Sequence, residues 1–220
     1  MAKVVLFGVR DFASLAHYYL RSDSEHEVVA FTVHREFLPA EATFEGLPVV
    51  AFEDLPERFP AREFSAFAPL SHKGMNSARE SVYRQFKQQG YSLISYISSH
   101  ATVLNQQAIG DNCFILEDNT IQPFVTIGAN VVLWSGNHIG HHSQIKDHVF
   151  FTSHVVLSGH CVVEPYCFLG VNATIRDQIR LGEGTLVGMS AIIMRDTEPW
   201  SVYKADGSRA AKISSKDVKF

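Results

Sequence analysis

Ile127-Gly-Ala-Asn-Val-Val-Leu133-Trp-Ser-Gly-Asn-His-Ile139-Gly-His-His-Ser-Gln-Ile145 places a bulky apolar residue at every sixth position, and the step continues in both directions. It starts at Ile97, Val103, Ile109, Ile115 and Ile121, and it runs on through Phe151, Leu157, Val163, Leu169, Ile175, Leu181, Val187 and Ile193. Seventeen successive positions share one register. At ordinary composition the chance of that run is on the order of one in a hundred million, so a repeat architecture is the first structural conclusion. Four residues after each apolar position the chain is mostly small, as at Ala101, Val125, Val131, Ser143, Ala173 and Thr185. The three cysteines, Cys113, Cys161 and Cys167, occupy that same slot, which makes them small core residues rather than nucleophiles. Gly110, Gly128, Gly140, Gly170, Gly182 and Gly188 directly follow the apolar residue, where a corner is expected to use positive φ.

A strict six-residue period predicts a parallel β-helix of three faces and 18 residues per coil, with residues 18 apart stacked about 4.8 Å from one another. The predicted fold is therefore α/β plus all-β. A small Rossmann-like parallel α/β domain occupies residues 1–96, a β-helix residues 97–197, and a C-terminal tail residues 198–220. In the first part, Lys3 to Phe7 reads as a strand ending at Gly8. Phe12, Leu15, Ala16, Tyr19 and Leu20 then fall on one helical face, with Asp11 as its expected cap. Further strands are predicted at Glu27 to Val33, around Phe64 to Ala68, and from Ser92 to Ile97. Ala78, Val82 and Phe86 mark a second helix stopped by Gly90. The α/β part is expected to cap one end of the β-helix, because such prisms need their ends covered.

Gly8-Val-Arg-Asp11-Phe-Ala13 lacks the later glycines of a dinucleotide fingerprint, and Asp11 would repel a phosphate there. A single nucleotide sugar at the carboxyl ends of the strands remains compatible, with Gly8, Arg10, Thr32, His34 and Lys73 as its expected contacts. The 220 residues include 46% hydrophobic and 19% charged residues and carry a net charge of −4, a balance that speaks against nucleic acid as a partner. No apolar run is long enough for a membrane helix, and the start, Met-Ala-Lys-Val-Val-Leu-Phe-Gly, reads as that of a cytoplasmic protein.

Six of the eleven histidines, His138, His141, His142, His148, His154 and His160, crowd into 23 positions. Four of them, His142, His148, His154 and His160, sit three residues after the apolar position and so turn onto successive faces. Only His142 and His160 stack within one coil column, which makes a metal site inside one subunit awkward. No metal is expected. His141 differs, because 18 residues on lies Gly159 in Leu157-Ser-Gly-His160. An imidazole beside an unobstructed backbone N–H is the pair that acyl transfer needs: one takes a proton from the attacking group, the other stabilises the oxyanion.

Ser135-Gly-Asn-His-Ile-Gly-His-His-Ser143, Thr152-Ser-His-Val-Val-Leu-Ser-Gly159 and Cys167-Phe-Leu-Gly-Val-Asn-Ala-Thr174 together resemble the bacterial sugar acetyltransferases that modify sialic acid, bacillosamine or perosamine. That resemblance implies a left-handed β-helix, a homotrimer with active sites between subunits, acetyl-CoA along the prism, and a nucleotide-linked sugar (dTDP, UDP or GDP) on the N-terminal domain. It implies His141 as catalytic base, Gly159 as the thioester-binding glycine, and Gly170, Val171, Gly188 and Met189 along the CoA groove. Two departures stand out. His142 follows the base where several relatives have an acid, so the tautomer of His141 must be fixed differently. Ala205-Asp-Gly-Ser-Arg-Ala-Ala-Lys212 replaces the family's Gly-x-Pro-Ala-Lys. The expected reaction is N-acetylation of a nucleotide-linked deoxyamino sugar for lipopolysaccharide or capsule synthesis. The alternatives are sugar O-acetylation, a zinc-dependent hydratase of the same fold with imidazoles from neighbouring subunits, and a non-catalytic binding module.

Overall fold

The computed structural model describes residues 1–104 and 108–207. The repeat winds a three-sided left-handed parallel β-helix in which every rung advances by 18 residues. One face carries seven strands, Tyr96–Ile97, Phe114–Ile115, Val132–Leu133, Phe150–Phe151, Phe168–Leu169, Leu186–Val187 and Val202–Tyr203. The second carries six, from Thr102–Val103 through His138–Ile139 to Ile192–Ile193, and the third four, from Thr126–Ile127 to Arg180–Leu181. Val132 pairs with Phe114 and Phe150, and His138 with Thr120 and Val156, so the 18-residue register holds in each sheet. From Ile115 to Ile193 the sixth-position residues point inward and form one core with the small slot. Ile97 and Val103, in the first coil, remain partly open. Cys113, Cys161 and Cys167 are fully buried, and burial pushes the thiols of Cys113 and Cys167 up to about 12, so none is poised as a thiolate.

The corner glycines do something other than expected. Gly110, Gly128, Gly140, Gly170, Gly182 and Gly188 do not have positive φ; they allow one coil to lie close on the next. A Cβ on Gly140 would stand 2.5 Å from the Ser158 carbonyl carbon and 2.6 Å from the Gly159 nitrogen. The left-handed conformation falls two residues later. Asn112, Asp118, Phe124, Asn130, Gly136, His142, His148, His154, His160, Tyr166, Asn172, Gln178, Gly184 and Ser190 all have φ between 55 and 76°. This slot explains much of the histidine periodicity, since His, Asn and Asp tolerate αL better than most side chains.

The N-terminal part is a five-stranded sheet of β1 (Lys3–Phe7), β2 (Glu27–Val33), β3 (Thr43–Phe44), β4 (Leu47–Ala51) and β5 (Ser65–Phe67). Its order is β3-β4-β2-β1-β5, parallel apart from the β3–β4 pair. Three helices accompany it, α1 (Asp11–Ser22), α2 (Leu55–Arg58) and α3 (Ser77–Gln88). Gly90 ends α3 with φ +83°, as the stop signal implied. Asp11 is the first residue of α1 rather than its cap: Arg10 holds that position, without a capping side chain. The segment from Ser92 forms no fourth strand. Leu93 makes one bridge to Ala66, and Tyr96–Ile97 already pairs with Phe114–Ile115 in the prism.

The α/β part covers a side of the prism, not its end. Outward-facing Tyr96, Phe114, Val132 and Phe150 of the seven-stranded face are each buried in one apolar cluster with Val4, Leu6, Ala13, Ala16, Leu20, Phe31 and Phe67. Arg79 of α3 locks the junction. It is fully buried and donates to the carbonyls of Ser71, Asn130, His148 and Val149 and to the side chains of Asn76 and Asn130. Of the tail, Val202–Tyr203 adds a strand beside Leu186–Val187, and residues 208–220 lie outside the described residues.

Candidate active site

Strand His138–Ile139 leads through Gly140 into the corner between the six- and four-stranded faces, and His141 stands at that corner. Its backbone is fixed from two sides: the His141 N–H donates to Gln122 Oε1 at 2.9 Å, and the His141 carbonyl accepts from the His160 N–H at 2.9 Å. The ring lies over Gly159 one rung later. A Cβ there would come within 2.9 Å of His141 Cε1 and 3.0 Å of Nε2, so any side chain at this position would push the imidazole off the amide. The Gly159 carbonyl accepts from Gln178, whereas its N–H has no acceptor among the described residues. Among those residues the same corner position also lacks an acceptor at Ser135, Asp147, Ser153, Val171, Asp177, Glu183 and Met189, whereas Ala129 donates to Asp147 and His141 to Gln122; what sets Gly159 apart is the imidazole lying on it. An exposed imidazole and an unengaged amide thus sit side by side.

The orientation of His141 without an acidic neighbour has a structural answer. His141 Nδ1 and His142 Nδ1 are 3.0 Å apart, so one donates and the other accepts. When the shared proton resides on His141, its Nε2 is left with the free lone pair. His142 is itself held in a stack, 4.6 Å from Phe124 and 4.8 Å from His160 between ring centroids, the latter pair nearly parallel at 13°. Where the 18-residue columns bring together only His142 and His160, the structure adds a third imidazole. His141, His142 and His160 converge in a single protomer, with one ligating nitrogen of each within 4.8 Å of the others. Looking only along columns of 18 pairs His142 with His160 but leaves out His141, which reaches them from the preceding corner position.

His148 and His154 are engaged elsewhere. His148 is buried, its Nδ1 2.8 Å from Asn130 Nδ2 and its Nε2 facing Glu80, and burial lowers its pKa despite that carboxylate. His154 lies across Gly136.

A second candidate region is a cavity of about 780 Å³ at the carboxyl ends of β1 and β2. Gly8, Arg10, His34 and Lys73 line it, and the sequence reading missed Glu36, Phe37, Ser81 and Gln85 beside them. Thr32 does not belong there. Its side chain is fully buried and its hydroxyl donates to the Val50 carbonyl at 2.9 Å, so it joins β2 to β4. His34 is tied to Glu53 at 3.0 Å. Gly170, Val171, Gly188 and Met189 lie at the corner between the seven- and six-stranded faces, and Gly159 at the next corner round, so one protomer does not bring them together. Gly170 has a packing reason of its own, since a Cβ there would meet the Met189 nitrogen at 2.5 Å. Val171 and Met189 are exposed. The corner bearing His141 is the one that does not border the face covered by the α/β part.

Residues 108–141 match the bacterial transferase hexapeptide (six repeats) family model. Over most of its length the chain superposes on several solved structures. The acetyltransferase domain of PglB from Neisseria gonorrhoeae matches at a TM-score of 0.80 and 19% identity over 92% of this chain and 96% of that one. PerB from Caulobacter crescentus, solved with CoA and GDP-perosamine, matches at 0.78 and 22% over 94% and 98%. WeeI from Acinetobacter baumannii matches at 0.76 and 18% over 92% and 96%. Among the described residues no helix is long and apolar enough to cross a membrane. The chain therefore carries the bacterial transferase hexapeptide repeat and has the α/β plus left-handed β-helix fold of these acetyltransferases.

Proposed function

We propose that the protein transfers an acetyl group from acetyl-CoA to the amino group of a nucleotide-linked deoxyamino sugar destined for a surface glycan. The observation that carries this reading is the His141 ring lying on Gly159, beside an amide with no acceptor. The amine nitrogen attacks the thioester carbonyl, and His141 takes the proton that the nitrogen must lose. The Gly159 N–H donates to the oxyanion of the tetrahedral intermediate. As that intermediate collapses the C–S bond breaks, and the imidazolium returns its proton to the departing thiolate. His142 holds the base through the Nδ1 pair. Imidazoles as a class exchange protons near neutral pH, which suits one group to both steps. Likeness to PerB, whose structure contains CoA and GDP-perosamine, supports the choice of donor and acceptor class.

In one protomer the cavity and His141 lie on different sides of the prism, so a neighbouring copy is needed to present the sugar to the base. A cytoplasmic homotrimer with sites between subunits meets that need. Gly8, Arg10, His34 and Lys73 would contact the nucleotide sugar on one subunit. Gly159 of one copy, with Gly170, Val171, Gly188 and Met189 of the next, would bracket CoA. No metal takes part in this reaction scheme. Amine and hydroxyl acceptors are separated by thiol release from acetyl-CoA with a panel of amino and non-amino nucleotide sugars. Release only with amino sugars is the expected result, and release with hydroxyl acceptors alone would replace N- by O-acetylation.

A further inference from the structure

We infer that His141, His142 and His160 form a binding site for a first-row divalent transition metal such as zinc, and that metal there silences the base by occupying its lone pair. Three neutral nitrogen donors are the ligand set such ions prefer, and three protein ligands leave a fourth position for water. The backbone already supplies the spacing. His142 and His160 occupy the same corner position on consecutive rungs, and the His160 N–H donates to the His141 carbonyl at 2.9 Å. The ligating nitrogens lie within 4.8 Å of one another. Zinc bonds of about 2.0 to 2.1 Å set tetrahedral N···N separations at roughly 3.3 Å, so the widest pair must close by at most about 1.5 Å. Nothing packs them apart, for all three side chains are exposed. The stacked His142 and His160 rings would tilt toward each other, giving up their 13° alignment, and His141, perpendicular to both, would turn a nitrogen inward.

Elsewhere among the described residues, corner histidines are committed or single. His148 is engaged by Asn130 and faces Glu80, and His154 covers Gly136. The binding half of this inference stands on geometry alone; the inhibitory half rests on His141 being the proposed base.

The test uses the untagged full chain, zinc chloride and a chromogenic chelator as competitor, followed by acetyl-transfer assays with and without zinc. His160→Asn is the informative variant, since asparagine tolerates the φ of +58° at that position and His160 is not part of the proposed catalytic machinery. One zinc per chain is expected, with affinity at least tenfold weaker in His160→Asn and unchanged in His154→Asn. Zinc should suppress turnover of the unsubstituted protein, a chelator should restore it, and the turnover of His160→Asn, measured against its own zinc-free rate, should no longer respond to zinc. Absence of stoichiometric binding, or equal affinity in His160→Asn, overturns the site. Stoichiometric binding that leaves turnover unchanged or raises it leaves the site standing and overturns the role of His141 as base.

Discussion

Two corners of the prism put the same backbone conformation to different use. At the corner under α3, Asn112, Asn130, His148 and Tyr166 form a ladder in the left-handed position. Asn112 Nδ2 donates to Asn130 Oδ1 at 2.8 Å, Asn130 Nδ2 to His148 Nδ1 at 2.8 Å, and the Tyr166 hydroxyl to Glu80 at 3.0 Å. At the corner remote from the α/β part, Phe124, His142, His160 and Gln178 occupy the equivalent rungs, and His141, His142 and His160 are exposed. Slot, spacing and residue type overlap, but the surroundings do not. Covered by Arg79 and Glu80, the slot imidazole of His148 becomes a structural hydrogen-bonding group; at the uncovered corner the slot imidazoles of His142 and His160 stay exposed, and His142 pairs through Nδ1 with its neighbour His141, the ring that lies on Gly159. Position in the repeat therefore decides only the backbone of a histidine, and the covering layer decides its chemistry.

The sharpest way to break this contrast is His141→Ala. Turnover is expected to fall by about 10² to 10⁴, with an unfolding midpoint in urea near that of the parent because the side chain is exposed. Full activity in this variant would remove the open corner from the chemistry.

At the covered corner the largest effect should be on stability. Arg79→Ala strips the carbonyls of Asn130, His148 and Val149 of a buried donor, and a loss of about 3 kcal/mol or more is expected in urea unfolding, given about 1 to 3 kcal/mol per orphaned polar group. A change below about 1 kcal/mol would mean the two parts are held by their apolar contact alone.

His142 tests backbone and chemistry together. At φ +59° asparagine is tolerated, whereas valine is expected to cost about 1 to 2 kcal/mol more. Both variants lose the Nδ1 partner of His141, and turnover about tenfold lower in each would mark His142 as a positioning residue.

The smallest effect concerns acid. Burial lowers the pKa of His148, and of His17, His26 and His72, so below the ordinary histidine value the unfolded chain binds more protons than the folded one. Their contribution to stability is complete above about pH 6.5 and declines as pH falls below it. Asp23, held down to about 2 by Ser99 and Tyr96, contributes its own loss only in much stronger acid. The thermal midpoint should therefore drop between pH 7.5 and 5.5, and His148→Asn should flatten that drop; an unchanged slope would show that His148 is not a source of it.

The α/β part was less legible than the prism. β1 and β2 stand out as apolar runs, but Leu47-Pro-Val-Val-Ala51 is short, carries a proline and was missed, although it pairs in parallel with β2. The sequence also carries a signal for the covered side of the prism. The residue before each inward position is Tyr96, Phe114, Val132, Phe150 and Phe168 on one face, but Thr126, Gln144, Val162 and Arg180 on another. An 18-residue recurrence of aromatic groups pointing outward marks a covered side.

The amino-acid order by itself determined the 18-residue stacking of residues 109–193, the small slot that takes the cysteines, and the meeting of His141 with Gly159 one rung on. A period of six closed into three faces leaves no freedom in which residues stack. Which face the α/β part would cover, that Thr32 would be walled in, and that a third imidazole would join His142 and His160 were settled only in three dimensions. Those outcomes depend on side-chain direction at the corners and on apolar area buried between segments far apart in the chain, neither of which a linear period encodes.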